Sequence, residues 1–220
     1  MSMKPIVTLP LLFLLACATT PPSAPEAAPA AAQSTAAAQP PSPPATAPLT
    51  HPELARELLA MRDADQRVRR ALIAKRDDPA LKEELAQVDA KNVSRVIEII
   101  DQYGWPSKAM VGEKGSGAVW IILQHAPRDV LKRYLPRMEE AARNGDIRGG
   151  LLATSVDRVR IGEGKPQLYG TQFQEKDGTM VPHPIEDEAN VDKRRAEVGL
   201  GPLAEYAEQL RAAYKRPTPK

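Results

Sequence analysis

Residues 18–50 read ATTPPSAPEAAPAAAQSTAAAQPPSPPATAPLT, and 21 of these 33 residues are Ala or Pro. Glu26 is the one charge in the stretch, and neither a helical nor a strand-like apolar period runs through it. A segment so poor in large apolar side chains cannot offset the entropy of its own ordering, so it is expected to be a disordered, partly polyproline spacer. Extended at about 3.1 Å per residue, it would reach about 100 Å. Any packed core must therefore come from the residues after it. His51 to Lys220 supplies 170 residues, enough for a single domain.

The residues before the spacer read MSMKPIVTLPLLFLLA, one Lys followed by an apolar run from Ile6 to Leu15. That run is too short to span a bilayer as a helix and fits the central part of an export signal. It ends in Leu14-Leu15-Ala16-Cys17, which resembles the lipobox of bacterial lipoproteins, where cleavage precedes a Cys whose thiol is acylated. The alternative is an ordinary export signal with an incidental Cys. The lipobox reading is favoured because Cys17 is the only cysteine and stands where cleavage is expected. Lipidation there leaves no thiol for a disulfide, so packing alone must hold the domain. It also gives a protein anchored to a membrane without spanning it. Ala18, rather than Asp, follows the Cys, which by the lipoprotein sorting pattern implies the outer membrane of a two-membrane bacterial envelope. The expected organisation is thus a signal peptide at 1–16, a lipidated Cys and tether at 17–50, and a domain at 51–220.

Without Lys4 and Glu26 the domain has 29 basic and 27 acidic residues, a balance that offers no electrostatic footprint for nucleic acid. The densest basic run, Arg67 to Arg70, falls on a helix and reads as a solvated face. His51–Arg76 carries Leu54, Leu58, Met61, Val68 and Leu72 at helical spacing, and a second stripe from Leu81 through Leu85, Val88, Val96 and Ile99 ends at Gly104-Trp105-Pro106. The two predict an antiparallel αα-hairpin. VGEKGSG reads as a flexible loop, AVWIILQHA as a central buried helix, and Pro127 opens a fourth helix to about Arg143. A fifth follows with Asp146 as its N-cap, weakened by Gly149 and Gly150. QLYGTQF and TMVPHPI flank Lys176-Asp177-Gly178 as a hairpin, the second arm demoted to an edge by Pro182 and Pro184. Helices at about 188–198 and 202–215 complete a mainly α domain of six to seven helices with one small β-hairpin.

Polar residues interrupt the apolar stripes. Asp65 lies between Met61 and Val68 on the buried face, with Arg69 at i+4. Asn92 interrupts Val88 and Val96, with Asp89 alongside, and His125 ends the most apolar helix. Buried polar groups are costly unless partnered, so these should meet one another or a ligand. A closed structural network is the plainer reading for any one of them; four on converging helices shift the balance toward a site.

The chain resembles a bacterial family of uncharacterised proteins, the domain of unknown function numbered 6624. The residues that carry the resemblance are Asp65-Gln66 with Arg69, Asn92, Gly104-Trp105-Pro106, Val111-Gly112, and Trp120 with Gln124-His125-Ala126. Further along they are Asp157-Arg158, Gln167 to Gln172, Pro184-Ile185, Gly199-Leu200 and Pro202-Leu203. The family's QHAD stands here as QHAP, with Pro127 in place of the carboxylate. The resemblance carries no activity, but it adds Gln66, Gln124, Asp157, Arg158 and the QLYGTQ segment to the polar set. Read as a strand, QLYGTQ places Gln167, Tyr169 and Thr171 on one face and Leu168, Gly170 and Gln172 on the other, the wall of a polar pocket.

Catalytic templates are mostly absent. GEKGSG lacks the GK[ST] ending of a phosphate-binding loop, and neither HExxH nor GxSxG occurs. Of three histidines, His51 adjoins the tether, so no metal site and no cofactor is expected. The leading expectation is a membrane-anchored module that binds a small polar or cell-envelope ligand through Gln66, Arg69, Asn92, Gln124, Arg158, Gln167, Tyr169, Thr171 and Gln172. One alternative is a hydrolase-like enzyme with His125 as general base, oriented by Asp157 or Asp65, and Arg69 or Arg158 on an anionic group. The other is a structural network with no ligand. The anchor is tested by Cys17→Ser, which should move the protein from the membrane pellet to the soluble envelope fraction; retention after a high-salt wash would overturn it.

Overall fold

α1 (Pro52–Ala74) and α2 (Pro79–Tyr103) form the expected antiparallel hairpin: Glu57 meets Arg95, Met61 meets Asn92, and Arg67 meets Glu84, one register falling as the other rises. The computed structural model describes residues 48–214, all within the second of two units into which the chain divides, 47–220. The signal peptide, Cys17 and nearly all of the tether lie outside the described residues. Asp78 caps α2 by accepting from the Ala80 and Leu81 amides, and Gly104 ends it with a positive φ of 71°.

α3 (Lys108–Gln124) is the central element, and it corrects the expectation of a loop at 111–117: VGEKGSG is helical except at Gly112. Three glycines argue against a helix by propensity, but packing overrides that weak preference. Gly115 lies against the Ala55 backbone, and Ser116 is buried, accepting from the Trp105 indole at 2.8 Å. Gly112 holds φ 75°, a left-handed break that glycine accommodates, and Leu49 packs over it. Ala118, Val119, Trp120, Ile122 and Leu123 then fill the core between α1, α2 and Leu131, Tyr134 and Met138 of α4 (Arg128–Arg143).

α5 (Gly149–Gly162) starts later than expected, and Asp146 is not its cap. The Asp146 carboxylate instead accepts from the Lys108 amide at 2.7 Å, at the head of α3. Gly149 and Gly150 serve packing: a Cβ at either would meet Val198 or Leu200 within 3.0 Å. The hairpin is β1 (Phe173–Lys176) with β2 (Thr179–Pro182), Phe173 opposite Pro182 and Asp177-Gly178 at the turn. Of QLYGTQF only Phe173 belongs to it. Residues 168–172 are loop, and Gln167 makes a single bridge to Ile185. A short 3-10 turn (Glu188–Asn190), α6 (Val191–Glu197) and α7 (Leu203–Tyr214) close the chain against α5 and the hairpin. The result is mainly α, seven helices and one two-stranded antiparallel sheet among the described residues, as the sequence predicts.

Packing begins two residues before the expected His51 boundary. Leu49 sits on Gly112, and the Thr50 and His51 amides donate to the Ala109 and Met110 carbonyls at 3.1 and 3.0 Å. Leu49→Ala should therefore cost about 1 kcal/mol, part of the value of a fully buried Leu, and lower the melting temperature by about 2–4 °C. An unchanged melting temperature would show that this segment does not contribute.

Candidate functional site

The interruption at Asp65 has a physical answer. Its side chain is 1% exposed, and one oxygen accepts from Arg69 Nε at 2.9 Å and pairs with His125 Nδ1 at 3.0 Å. The other accepts from the Gln66 amide at 2.7 Å. Arg69 then reaches Asp89 on α2 at 2.5 Å, so one carboxylate ties α1 to α2 and to the end of α3, where His125 is the C-cap. Burial by itself would raise the Asp65 carboxyl; the hydrogen bond and charge of His125, the charge of Arg69 and the Gln66 amide together hold it below its ordinary value. Asp89 goes the other way, pushed up by burial that outweighs Arg69. The two neighbouring carboxyls are thus shifted in opposite directions while sharing the Arg69 guanidinium.

The network meets solvent chiefly at Asp89, whose side chain is 26% exposed against 11% for that of His125. The His125 ring, with Asp89, Ala90, Val93, Pro127 and Val130, lines an open depression of about 480 Å³ between α2 and the start of α4. In the tautomer that donates Nδ1–H to the Asp65 carboxylate, Nε2 keeps its lone pair on the side away from Asp65. Asp65, Asp89 and His125 also bring one ligand atom each within 4.8 Å, a spacing a cation could use. The Arg69 guanidinium already lies between the two carboxylates and supplies the positive charge, which argues against a metal there.

The second polar group is closed. Asp157 is fully buried and accepts from the amides of Leu168 at 2.7 Å, Tyr169 at 3.1 Å and Thr171 at 3.0 Å, and from the Thr171 hydroxyl at 2.9 Å. QLYGTQ is therefore a loop wrapped around a carboxylate and not a strand forming a pocket wall. Gly170 makes the turn at φ 66°, and a Cβ there would come within 2.7 Å of Leu203. Gln167 is fully buried and satisfied: its amide donates to the Gln172 and His183 carbonyls, and its oxygen accepts from the Gln172 amide. Arg194 takes the Leu168 carbonyl and Arg195 the Tyr169 carbonyl.

Of the residues expected to share a site, the structure joins Asp65, Gln66, Arg69 and His125 with Asp89. It sets Asp157, Gln167, Tyr169, Thr171 and Gln172 in a separate cluster, and no hydrogen bond or ion pair among the described residues links the two directly. Asp65, not Asp157, is the partner of His125. Asn92 belongs to neither: it donates to the Met61 carbonyl at 3.0 Å and pins α2 to α1. Between the groups lies Arg158, whose NH1 donates to the Gln124 carbonyl at 2.6 Å, while the Gln124 amide bonds Ser155 at 2.7 Å. Gln124 Oε1 and Arg158 Nε are buried without a hydrogen-bond partner among the described residues. Asp89 could have been included from its place beside Asn92. Arg195 could not: it is 2% exposed, yet it reads in the sequence as part of the solvated run DKRR.

Asp65→Asn keeps the shape and removes the charge, leaving Arg69 and His125 without their buried acceptor. It should cost about 3 kcal/mol at neutral pH, the scale of breaking a buried pair. Because the folded carboxyl titrates below its ordinary value, its contribution is present above the usual carboxylate range and is lost as the pH falls through the folded pKa. The stability gap between wild type and Asp65→Asn, measured by denaturant melts, should therefore narrow from pH 7 toward pH 3. A gap that stays constant would refute the assignment.

No curated protein and no solved structure matches the chain. The profile of a family described as "Family of unknown function (DUF6624)" matches residues 52–217, from the first turn of α1 to just beyond α7. That span takes in both polar clusters and well over half of the chain, and the chain belongs to this family.

Proposed function

We propose that the domain is the ligand-binding part of a bacterial envelope protein, lipid-anchored through Cys17 in the outer membrane and carried on the Ala/Pro-rich tether. Its ligand is a small polar or cell-envelope molecule, held in the depression between α2 and α4. The observation that supports this most directly is the position of His125: its ring is fixed on a buried carboxylate on one side and lines an open depression on the other. The His125 side chain is 11% exposed and lines the depression together with Asp89. No helix among the described residues is long and apolar enough to cross a membrane, consistent with an anchor outside the domain.

A second reading is favoured by the Asp65–His125 hydrogen bond. A histidine whose Nδ1 is held by a buried carboxylate, with Nε2 free to take a proton, has the arrangement of a general base. Asp89, ion-paired with Arg69, brings a second carboxylate within 4.8 Å of a His125 ring nitrogen. In this reading the domain hydrolyses or otherwise transforms what it binds.

Ala90 is exposed on the rim of the depression, so Ala90→Trp fills the space without disturbing the core. In a thermal-shift panel of sugars, amino acids, phosphosugars and soluble peptidoglycan fragments, at least one compound should raise the melting temperature of wild type and leave Ala90→Trp unmoved. Equal responses across the whole panel would sink the proposal. For the same compound, His125→Gln that binds but no longer turns it over would establish the enzymatic reading.

A further inference from the structure

Arg128 and Arg158 lie near the end of α3, Arg128 three residues after His125 and Arg158 bonded to the Gln124 carbonyl. Arg69 is held between two carboxylates, but neither Arg128 nor Arg158 has an ion pair among the described residues. Arg158, on α5, spends NH1 on the Gln124 carbonyl, one of the acceptors left over at the end of α3. Its buried Nε has no hydrogen-bond partner among the described residues. Arg128, the first residue of α4, lies across α5 at Gly162, its Cδ 3.0 Å and its Nε 3.6 Å from where a Cβ would stand. Gly162 and Arg158 are four residues apart on the same helix and so lie on one face, which brings the two cationic side chains together. Burial first, then the charges of Arg128 and Arg69, push the Arg158 guanidinium below its ordinary pKa. The carboxylate next to Gly162 does not relieve this, because Glu163 is engaged by Lys132 at 2.6 Å and Lys165 at 2.7 Å.

We infer that Arg128 and Arg158 form a receptor for an oxyanion, the phosphate or carboxylate group of the ligand held beside His125. Guanidinium groups recognise such groups through paired, charge-assisted hydrogen bonds. The start of α4 adds to this. Pro127 occupies its N-cap without a side-chain acceptor, so the first amides of the helix have no acceptor within it, at the end where the helix dipole favours an anion. Capping of α3 explains one N–H of Arg158. It does not explain a second guanidinium lodged by a glycine over the same face of α5. The inference rests on the reading of the depression as a ligand site and names the chemistry of that ligand.

The test uses the full chain in detergent, with melting temperature followed as inorganic phosphate or acetate replaces chloride at constant ionic strength. At least one of the two should give a saturable rise. Arg128→Gln, at an exposed position, should weaken that binding by about tenfold, the value of one charge-assisted hydrogen bond. Arg158→Lys, which keeps the charge and loses the planar fork, should weaken it similarly. No saturable response to either anion, or an identical one in Arg128→Gln, overturns the receptor. If anion binding depends on Arg128 while no compound distinguishes wild type from Ala90→Trp, the receptor stands and the depression reading falls. The reverse pattern removes the receptor alone.

Discussion

A single buried carboxylate, Asp65, determines how the first three helices meet. Removing a charge from water is expensive, and the cost is offset only when hydrogen bonds and opposite charge surround it. Arg69, Gln66 and His125 do this from three directions, and Arg69 passes the connection on to Asp89. The apolar stripes of α1 and α2 would pack in several neighbouring registers; the carboxylate is satisfied in one. That register also places His125 at the end of α3, facing the depression, so the site is a product of the same constraint that orders the helices.

The other buried carboxylate solves the same problem by different means. Asp157 is surrounded by backbone dipoles and a hydroxyl, with no cation bonded to it, and the loop at 167–172 takes its shape from pointing those amides inward. Arg194 and Arg195 then use the outward-facing carbonyls of that loop to bring α6 onto it. The polar residues that stand out in the sequence thus divide into two kinds of work: one group ties α1 to α2 and to the end of α3, and the other builds the C-terminal third.

What could be read from the sequence follows the reach of the signals. The stripes of α1 and α2, the helix that Pro127 opens, the central position of AVWIIL and the turn at Asp177-Gly178 are local, and all appear as expected. Asp65 and His125 stood out because each interrupts an apolar face. Two errors have one cause. VGEKGSG reads as a loop because its glycines have low helix propensity, yet the segment is helical: Gly112 takes the left-handed break under Leu49, Gly115 leaves room for Val111, and nothing crowds Gly117. QLYGTQ looked like a strand because it alternates, yet its conformation is imposed by a carboxylate ten or more residues earlier in the chain. Arg195, buried within a run of charges, gave no local sign at all.

Gln167 has one more consequence. By bonding both the Gln172 and His183 carbonyls it closes the base of the β-hairpin from inside, independently of the turn. Phe173 seals that base against Tyr206 with an edge-on ring contact, while residues 174–179 stay exposed. Beyond that base the hairpin is attached at β2, where Arg211 Nε donates to the Met180 carbonyl at 3.4 Å and α7 packs on the strand. An insertion at the exposed Asp177-Gly178 turn should therefore leave both buried carboxylates undisturbed.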